Sequence, residues 1–323
     1  MSLDADILVD RRRLKRRLSL WRFIAIASLL AVLIAAGIGL SGDGWRYGFA
    51  HHVARVTVSG LITDNRKQQK LFDEIVKSDK VKAVILHINS PGGTTTGSEA
   101  LFAAIRRVSA DKPVVAVLGT VAASGGYVAA LASDHIVARG NTLTGSIGVI
   151  FRWAEVSELM QKLGVKVEDI KSGTLKAEPS PFKQIPEEAR EVARRMVLDS
   201  YEWFVGLVAE RRPFDRVRAR QLSDGRVYTG RQALDVKLID AIGGERTALT
   251  WLQETKGIDG GLEVVDWTVS SIESLSWSAS ATVWLLRALG LGGLAEAMLL
   301  TQKTLGTERL SLDGLISVWH PAS

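Results

Sequence analysis

The sequence predicts an α/β fold preceded by one membrane-spanning helix. Three observations predict it. Val- and Ile-rich apolar runs alternate with helical patterns between residues 53 and 138. Twenty positions, 23–42, carry no charge and follow a basic cluster. The 323 residues contain no cysteine, so no disulfide, iron–sulfur cluster or thiolate chemistry organises the chain.

The elements follow in order. Residues 53–62, VARVTVSGLI, read as a first buried strand, and 65–77 as a helix through Leu71, Ile75 and Val76. VKAVILHIN at 81–89 is a strongly apolar strand that SPGG breaks, and 98–108 is the next helix. PVVAVLG at 113–119 is a strand, 126–132 a helix of small residues, and HIVA at 135–138 a short strand. Continuous apolar strands joined by helices imply parallel pairing with both sheet faces covered. Further on, 154–163 reads as an amphipathic helix, 165–170 as a short strand, and 186–210 as the longest helix. Pro186, Glu187 and Glu188 suit a helix start, and Arg190, Arg194 and Arg195 read as a solvated face. A turn at 223–230 leads into a helix over 231–240, which Gly243 and Gly244 end.

Charge separates the two ends of the chain. Lys and Arg number 41 against 35 Asp and Glu, a net +6. RRRLKRR at 11–17 supplies six basic positions, equal to that excess, which removes most support for nucleic-acid binding. As a helix, 23–42 would reach about 30 Å, the thickness of the hydrocarbon core. The basic cluster before it places the N-terminus in the cytoplasm and the bulk of the chain across the inner membrane, with Trp21 and Trp45 at the interfaces. A cleaved signal peptide, with Ala35, Ala36 and Gly37 near the cut, and a buried helix are the other readings. The expected organisation is a basic tail over 1–20, an anchor over 21–42, a core over 50–256 and an extension over 257–323. Within the extension, 270–300 reads as a helix pair for oligomer or membrane-surface contact, or as core packing.

Three segments carry chemistry. In HINSPGG, 87–93, Pro91 and two glycines let backbone N–H groups approach a ligand closely. In GTVAASGGYVAALA, 119–132, Ser124 sits between a buried strand and a helix start. Such a hydroxyl is either a nucleophile beside an oxyanion-stabilising N–H or a plain helix cap. TGSIGVI at 144–150 suggests a tight wall near the same cleft, and its Ser146 is a rival nucleophile. The histidines at 51, 52, 87, 135 and 320 are not placed for a Ser-His-Asp triad, and no metal-ligand spacing occurs. A lysine is the remaining class of base. IKSGTLK, 170–176, offers Lys171 and Lys176, either of which also suits a plain surface position. A lysine base must be neutral, and burial is the expected cause.

INSPGG (88–93), ASGGYVAA (123–130), TGSIGVI (144–150), IKSGTLKAEPSPF (170–182) and DGRVYTGRQALDVKLIDAIGG (224–244) together resemble the signal peptide peptidase A family in its short bacterial form. The resemblance covers about 60–250. It implies a Clp/crotonase-like core and a membrane-anchored serine endopeptidase with a Ser/Lys dyad. It assigns Ser124 as nucleophile, Lys176 as general base, and the backbone N–H groups of Gly93 and Gly125 as the oxyanion hole. It further implies no cofactor or metal, hydrophobic peptides and signal-peptide remnants as substrates, the lipid bilayer as a partner, and a homo-oligomeric ring. One departure stands out: the family usually has Gly before the Leu of 233–240, where this chain has Lys237. The competing readings are a nonenzymatic scaffold on a degenerate protease fold and a crotonase-like acyl-CoA enzyme.

Overall fold

The structure is a computed structural model that describes residues 17, 20–24, 26, 50–268 and 316–318. The chain divides into two units, Met1–His51 and His52–Ser323. In the first, residues 20–24 are helical.

The expectation of a transmembrane helix is overturned: among the described residues, no helix is long and apolar enough to cross a membrane. The helical stretch 20–24 reaches about 8 Å, against about 30 Å of hydrocarbon. The rest of the segment expected to span lies, apart from Ile26, outside the described residues. Membrane anchoring, the bilayer as a partner and single-pass inner-membrane residence are therefore withdrawn. The apolar run 270–300 also lies outside the described residues.

The second unit is an α/β sheet protein. Its elements run β1 (His52–Ile62), α1 (Arg66–Lys77), β2 (Val81–Thr94), α2 (Thr95–Ser109), β3 (Val114–Ala123), α3 (Gly125–Leu131), β4 (His135–Ala138) and β5 (Leu143–Gly145). Then follow α4 (Ser157–Lys162), α5 (Glu187–Arg211), α6 (Arg216–Gln221), β6 (Val227–Thr229), α7 (Gly230–Asp235), β7 (Ala241–Ile242), α8 (Glu245–Lys256), β8 (Glu263–Trp267) and β9 (Ile316–Val318). The sheet order is β6-β5-β3-β2-β1-β8, with β4 and β7 branching from β3 and β9 from β2. The β8–β1–β2–β3 pairs are parallel, as the continuous apolar strands predict. Val53, Ala83, Ile85, Val115, Val117 and Val137 pack on Ala248 and Leu252 of α8. Leu71, Phe72, Ile75, Leu101, Ala104, Ile105 and Val108 bury the apolar stripes of α1 and α2.

β3 forks, and this fork positions the site. Its first half pairs with β4, from Val115 opposite His135 to Leu118 opposite Ala138. Its last residues pair with β5, from Val121 opposite Leu143 to Ala123 opposite Gly145. Ser124 is the next residue, at the carboxyl end of a central parallel strand, where open α/β sheets bind ligands.

Three elements differ from expectation. β2 does not break at Asn89. It continues through SPGG to Thr94, with Leu61 opposite Gly92 and Ile62 opposite Gly93 on β1. Gly93 is required there, since a Cβ would lie 1.7 Å from the Ile62 carbonyl oxygen. Residues 165–170 form no strand, and α4 spans only Ser157–Lys162 with no buried residue. Their apolar side chains have no facing layer in this chain. Lys237 keeps the turn that glycine normally supplies by adopting φ 61°. Its N–H donates to the Leu234 carbonyl at 2.9 Å, and its own carbonyl accepts from Arg212 Nε at 2.8 Å.

Helix ends are secured by side chains. Asn65 caps α1 by accepting from the Lys67 and Gln68 amides. At the other end, buried Lys112 donates through Nζ to the Ile75 and Val76 carbonyls at 2.7 and 2.6 Å. A cation there satisfies orphan carbonyls and opposes the negative end of the helix dipole.

Candidate active site

Ser124 occupies the N-cap position of α3 but makes no side-chain cap hydrogen bond. Its backbone stands at φ 56°, ψ −119°, a conformation that L-residues rarely adopt. The turn is over-determined by its surroundings. The Ser124 amide donates to the Gly145 carbonyl at 2.8 Å, and the Ser124 carbonyl accepts from the Tyr127 and Val128 amides at 2.9 and 3.0 Å. Strain held in this way is a mark of functional sites. The plain-cap reading of Ser124 is thereby excluded.

The helix behind Ser124 is anchored at its far end. Arg211 of α5 donates to the Leu131 and Ser133 carbonyls at 2.9 and 3.0 Å, and Arg106 of α2 donates to the Ala132 carbonyl at 3.2 Å. Tyr127, fully buried, donates its hydroxyl to the Leu238 carbonyl at 2.7 Å. Burial pushes that phenol well above its ordinary range.

The two glycine turns meet. A Cβ on Gly125 would lie 2.3 Å from Ser98 Oγ, 3.2 Å from the Gly93 nitrogen and 3.3 Å from Gly92 Cα. A Cβ on Gly126 would lie 2.7 Å from the Ser90 carbonyl oxygen. Only glycine allows α3 to start this close to the end of β2. The first amides of a helix have no intrahelical acceptor, so Gly125 presents its N–H beside that of Gly93.

Ser124 opens into a cavity of about 420 Å³. Ile147, Val149 and Ile150 line one wall and Val197, Leu198 and Tyr201 of α5 another, with Ser223, Asp224 and Gly225 at the rim. Ser146 also faces this cavity, at φ 50°, with its amide donating to the Arg226 carbonyl. Asp224 pairs with Arg226, whose hydrogen bonds hold the carboxylate below its usual range. The α5 lining was not readable from the sequence. The Arg-rich turn at 190–195 reads as solvated, and only the following turn, at 197, 198 and 201, faces the cleft.

The structure does not bring Lys176 to Ser124. Lys176 lies exposed on a turn over 173–176, its amide donating to the Gly173 carbonyl, and it does not line the cavity. Burial is thus not what surrounds it in this chain. Lys171 instead donates to Glu178 Oε1 at 2.9 Å and pairs with Asp169 at 3.3 Å. Lys183 reaches the same Glu178 oxygen at 2.5 Å. Glu178 is 1% accessible, and its hydrogen bonds to Lys183 and then Lys171 lower its pKa to about 2. The segment around Lys176 is strongly apolar on its surface: Ile170 is fully exposed, and Leu159, Leu163, Val165, Val167 and Phe182 are exposed as well.

The histidines serve packing. His135 stacks on Trp251 at 4.6 Å and lies 3.8 Å from Asp240, and burial lowers its pKa. His52 accepts from Trp267 Nε1 at 3.1 Å, tying β8 to β1. Among the described residues, no group of His, Asp and Glu is arranged to hold a metal.

A strained, buried serine between a parallel strand and a helix, two abutting glycine turns and an apolar cleft define a serine peptidase on a Clp-like core. The Clp protease family model matches residues 51–140. The model of peptidase family S49 matches residues 106–259. A Methanocaldococcus jannaschii protein named as a protease is 31% identical over 268 residues, 78% of this chain and 86% of that protein. A Synechocystis protein named as a protease is 35% identical over 208 residues, 64% of this chain and 75% of that protein. An Enterococcus faecium protein named as a signal peptide peptidase is 36% identical over 218 residues, 63% of each chain. The chain belongs to peptidase family S49 and is a serine peptidase.

Proposed function

We propose that this peptidase cuts unfolded apolar peptides, signal-peptide remnants among them, through Ser124, Lys176 and the backbone N–H groups of Gly93 and Gly125. The observation that carries the reading is Ser124 itself, strained, uninvolved in capping its helix, and set at the lip of an apolar cavity. The Enterococcus relative's name supports the substrate class. The proposal includes no membrane anchor. The scaffold and acyl-CoA readings do not fit membership of a peptidase family.

In this mechanism Ser124 Oγ adds to the scissile carbonyl while Lys176, as the neutral amine, takes the hydroxyl proton. The oxyanion lies between the Gly93 and Gly125 amides, each such donor being worth about 10²–10³ in rate. The ammonium of Lys176 returns its proton to the leaving amine, and the acyl-enzyme forms. Lys176 then deprotonates water, which releases the acid and restores Ser124. An apolar side chain beside the scissile bond fills the cavity walled by Ile147, Val149 and Leu198. Because Lys176 lies on an exposed turn, the dyad closes when the segment 152–185 approaches Ser124 and covers its apolar face.

Turnover of a Leu/Ala-rich peptide tests the reading. Ser124→Ala is expected to lose at least ~10⁴-fold and Lys176→Ala ~10²–10⁴-fold, both remaining folded by circular dichroism. Full turnover by Ser124→Ala, or preference for acidic polar peptides over apolar ones, would defeat it.

A further inference from the structure

The far end of β2 has two edges. On one, Leu61 and Ile62 of β1 stand opposite Gly92 and Gly93. The other edge is lined by β3 only as far as Ser90, which stands opposite Ala122. Beyond Ser90, β3 turns away to β5 and ends at Ser124. On that second edge lies β9, antiparallel, with Val318 opposite Gly92, Ser317 opposite Gly93 and Ile316 opposite Thr94. This is the edge that Gly125 approaches.

We propose that the segment Ile316–Val318 is a built-in occupant of the substrate strand site, lying along Gly92–Thr94 where a peptide to be cut must lie. The proposal rests on the reading of Ser124 and Gly93 as the reacting site. For its carbonyl to enter between the Gly93 and Gly125 amides, a substrate must run extended beside Gly93. An extended chain adds to a sheet edge through main-chain bonds, and one edge accepts one strand. Ser317 already stands opposite Gly93, so substrate and β9 exclude each other. The occupant is tethered, and effective concentrations of tethered segments reach the millimolar range. Peptides that bind more weakly than this are held out, and only those whose side chains also fill the Ile147–Leu198 cavity displace it. The device therefore raises the apparent KM for poor substrates and leaves kcat unchanged.

The test uses the full chain with Ser317→Pro and Val318→Pro together. Adjacent strand residues point their N–H groups to opposite sides, so one of the two prolines always removes a ladder donor. The variant is expected to show a KM at least about threefold lower than the parent at equal kcat. A synthetic peptide of residues 312–320, LDGLISVWH, should raise the variant's KM back towards the parent value. An unchanged KM with no effect of the peptide overturns the proposal, as does a loss of thermal stability alone, which is what a purely structural strand would give. A binding arm keeps the result separate from catalysis. With Ser124→Ala in both chains, calorimetry should show the peptide binding the proline variant and not its parent. Equal binding, or none, overturns the proposal whether or not Ser124 proves to be the nucleophile. Binding as expected with no Ser124-dependent cleavage would uphold the occupant and defeat only the catalytic reading.

Discussion

Gly125 backs onto Gly93 so closely that a Cβ on Gly125 would stand 3.2 Å from the Gly93 nitrogen. The first amide of α3 and the glycine turn of β2 thus share one small space, with Ser98 Oγ filling its floor at 2.3 Å from that Cβ position. Two segments about thirty residues apart in sequence have been brought to one point.

A methyl group at this contact should disturb the oxyanion donors. Gly125→Ala alone clashes with Ser98. Combined with Ser98→Ala, the clash with the hydroxyl is removed and the contact with Gly93 remains. The double variant is expected to fold and to lose about 10²-fold in kcat, the scale of one oxyanion donor. A Ser98→Ala control near parental kcat, measured by peptide turnover, isolates the effect.

The cavity beside Ser124 sets side-chain preference. Val149→Phe adds bulk to one wall of a space of about 420 Å³. It should lower kcat/KM for a peptide with Leu at the position cut more than for one with Ala, by about tenfold, the worth of one or two methylenes in a fitted pocket. Parallel assays of the two peptides check this.

Glu178 pins the segment that carries Lys176, through Lys171 and Lys183. Its pKa, lowered to about 2 by those hydrogen bonds, fixes the sign of the pH effect. The clamp is fully present above the ordinary carboxylate value of about 4.5 and is lost as pH falls from there through about 2. Hydrogen exchange across 169–183 should therefore stay slow, relative to intrinsic rates, until the acid range. In Glu178→Gln it should already be fast at neutral pH, with no further loosening between pH 4.5 and 2. Peptidase kcat should fall in the same variant, while the pairs of the core, such as Arg55 with Asp266 and Glu245, hold.

Lys237 holds a left-handed conformation that a side chain disfavours by about 1–2 kcal/mol. Lys237→Gly gives back most of that and spends part on unfolded-chain entropy, for a net gain of about 0.5–1 kcal/mol. Thermal unfolding should shift upward by a few degrees, with peptidase activity unchanged.

The parallel core was legible because its strands are apolar on both faces and its helices carry a 3.6-residue stripe, signals that survive in one dimension. Ser124 and the glycine turns were legible as a placement between strand and helix, but the excluded capping role needed coordinates. The continuation of β2 through SPGG was hidden because Pro and Gly punctuate most strands, and here a neighbouring strand dictates Gly93. The α5 wall at 197, 198 and 201 was hidden because a long helix can turn one face to a cleft while its neighbours stay charged. The clamp on Glu178 escaped because three oppositely charged partners within fifteen residues read as ordinary surface. The transmembrane reading rested on twenty uncharged positions, a signal that buried and spanning helices share in composition.

Labelling with a serine-directed phosphonofluoridate, followed by peptide mass mapping, tests the central claim most directly. The account predicts one adduct, on Ser124, absent from Ser124→Ala and formed much more slowly in Lys176→Ala. An adduct on Ser146 of the same cavity, or undiminished labelling of Ser124→Ala, would contradict it.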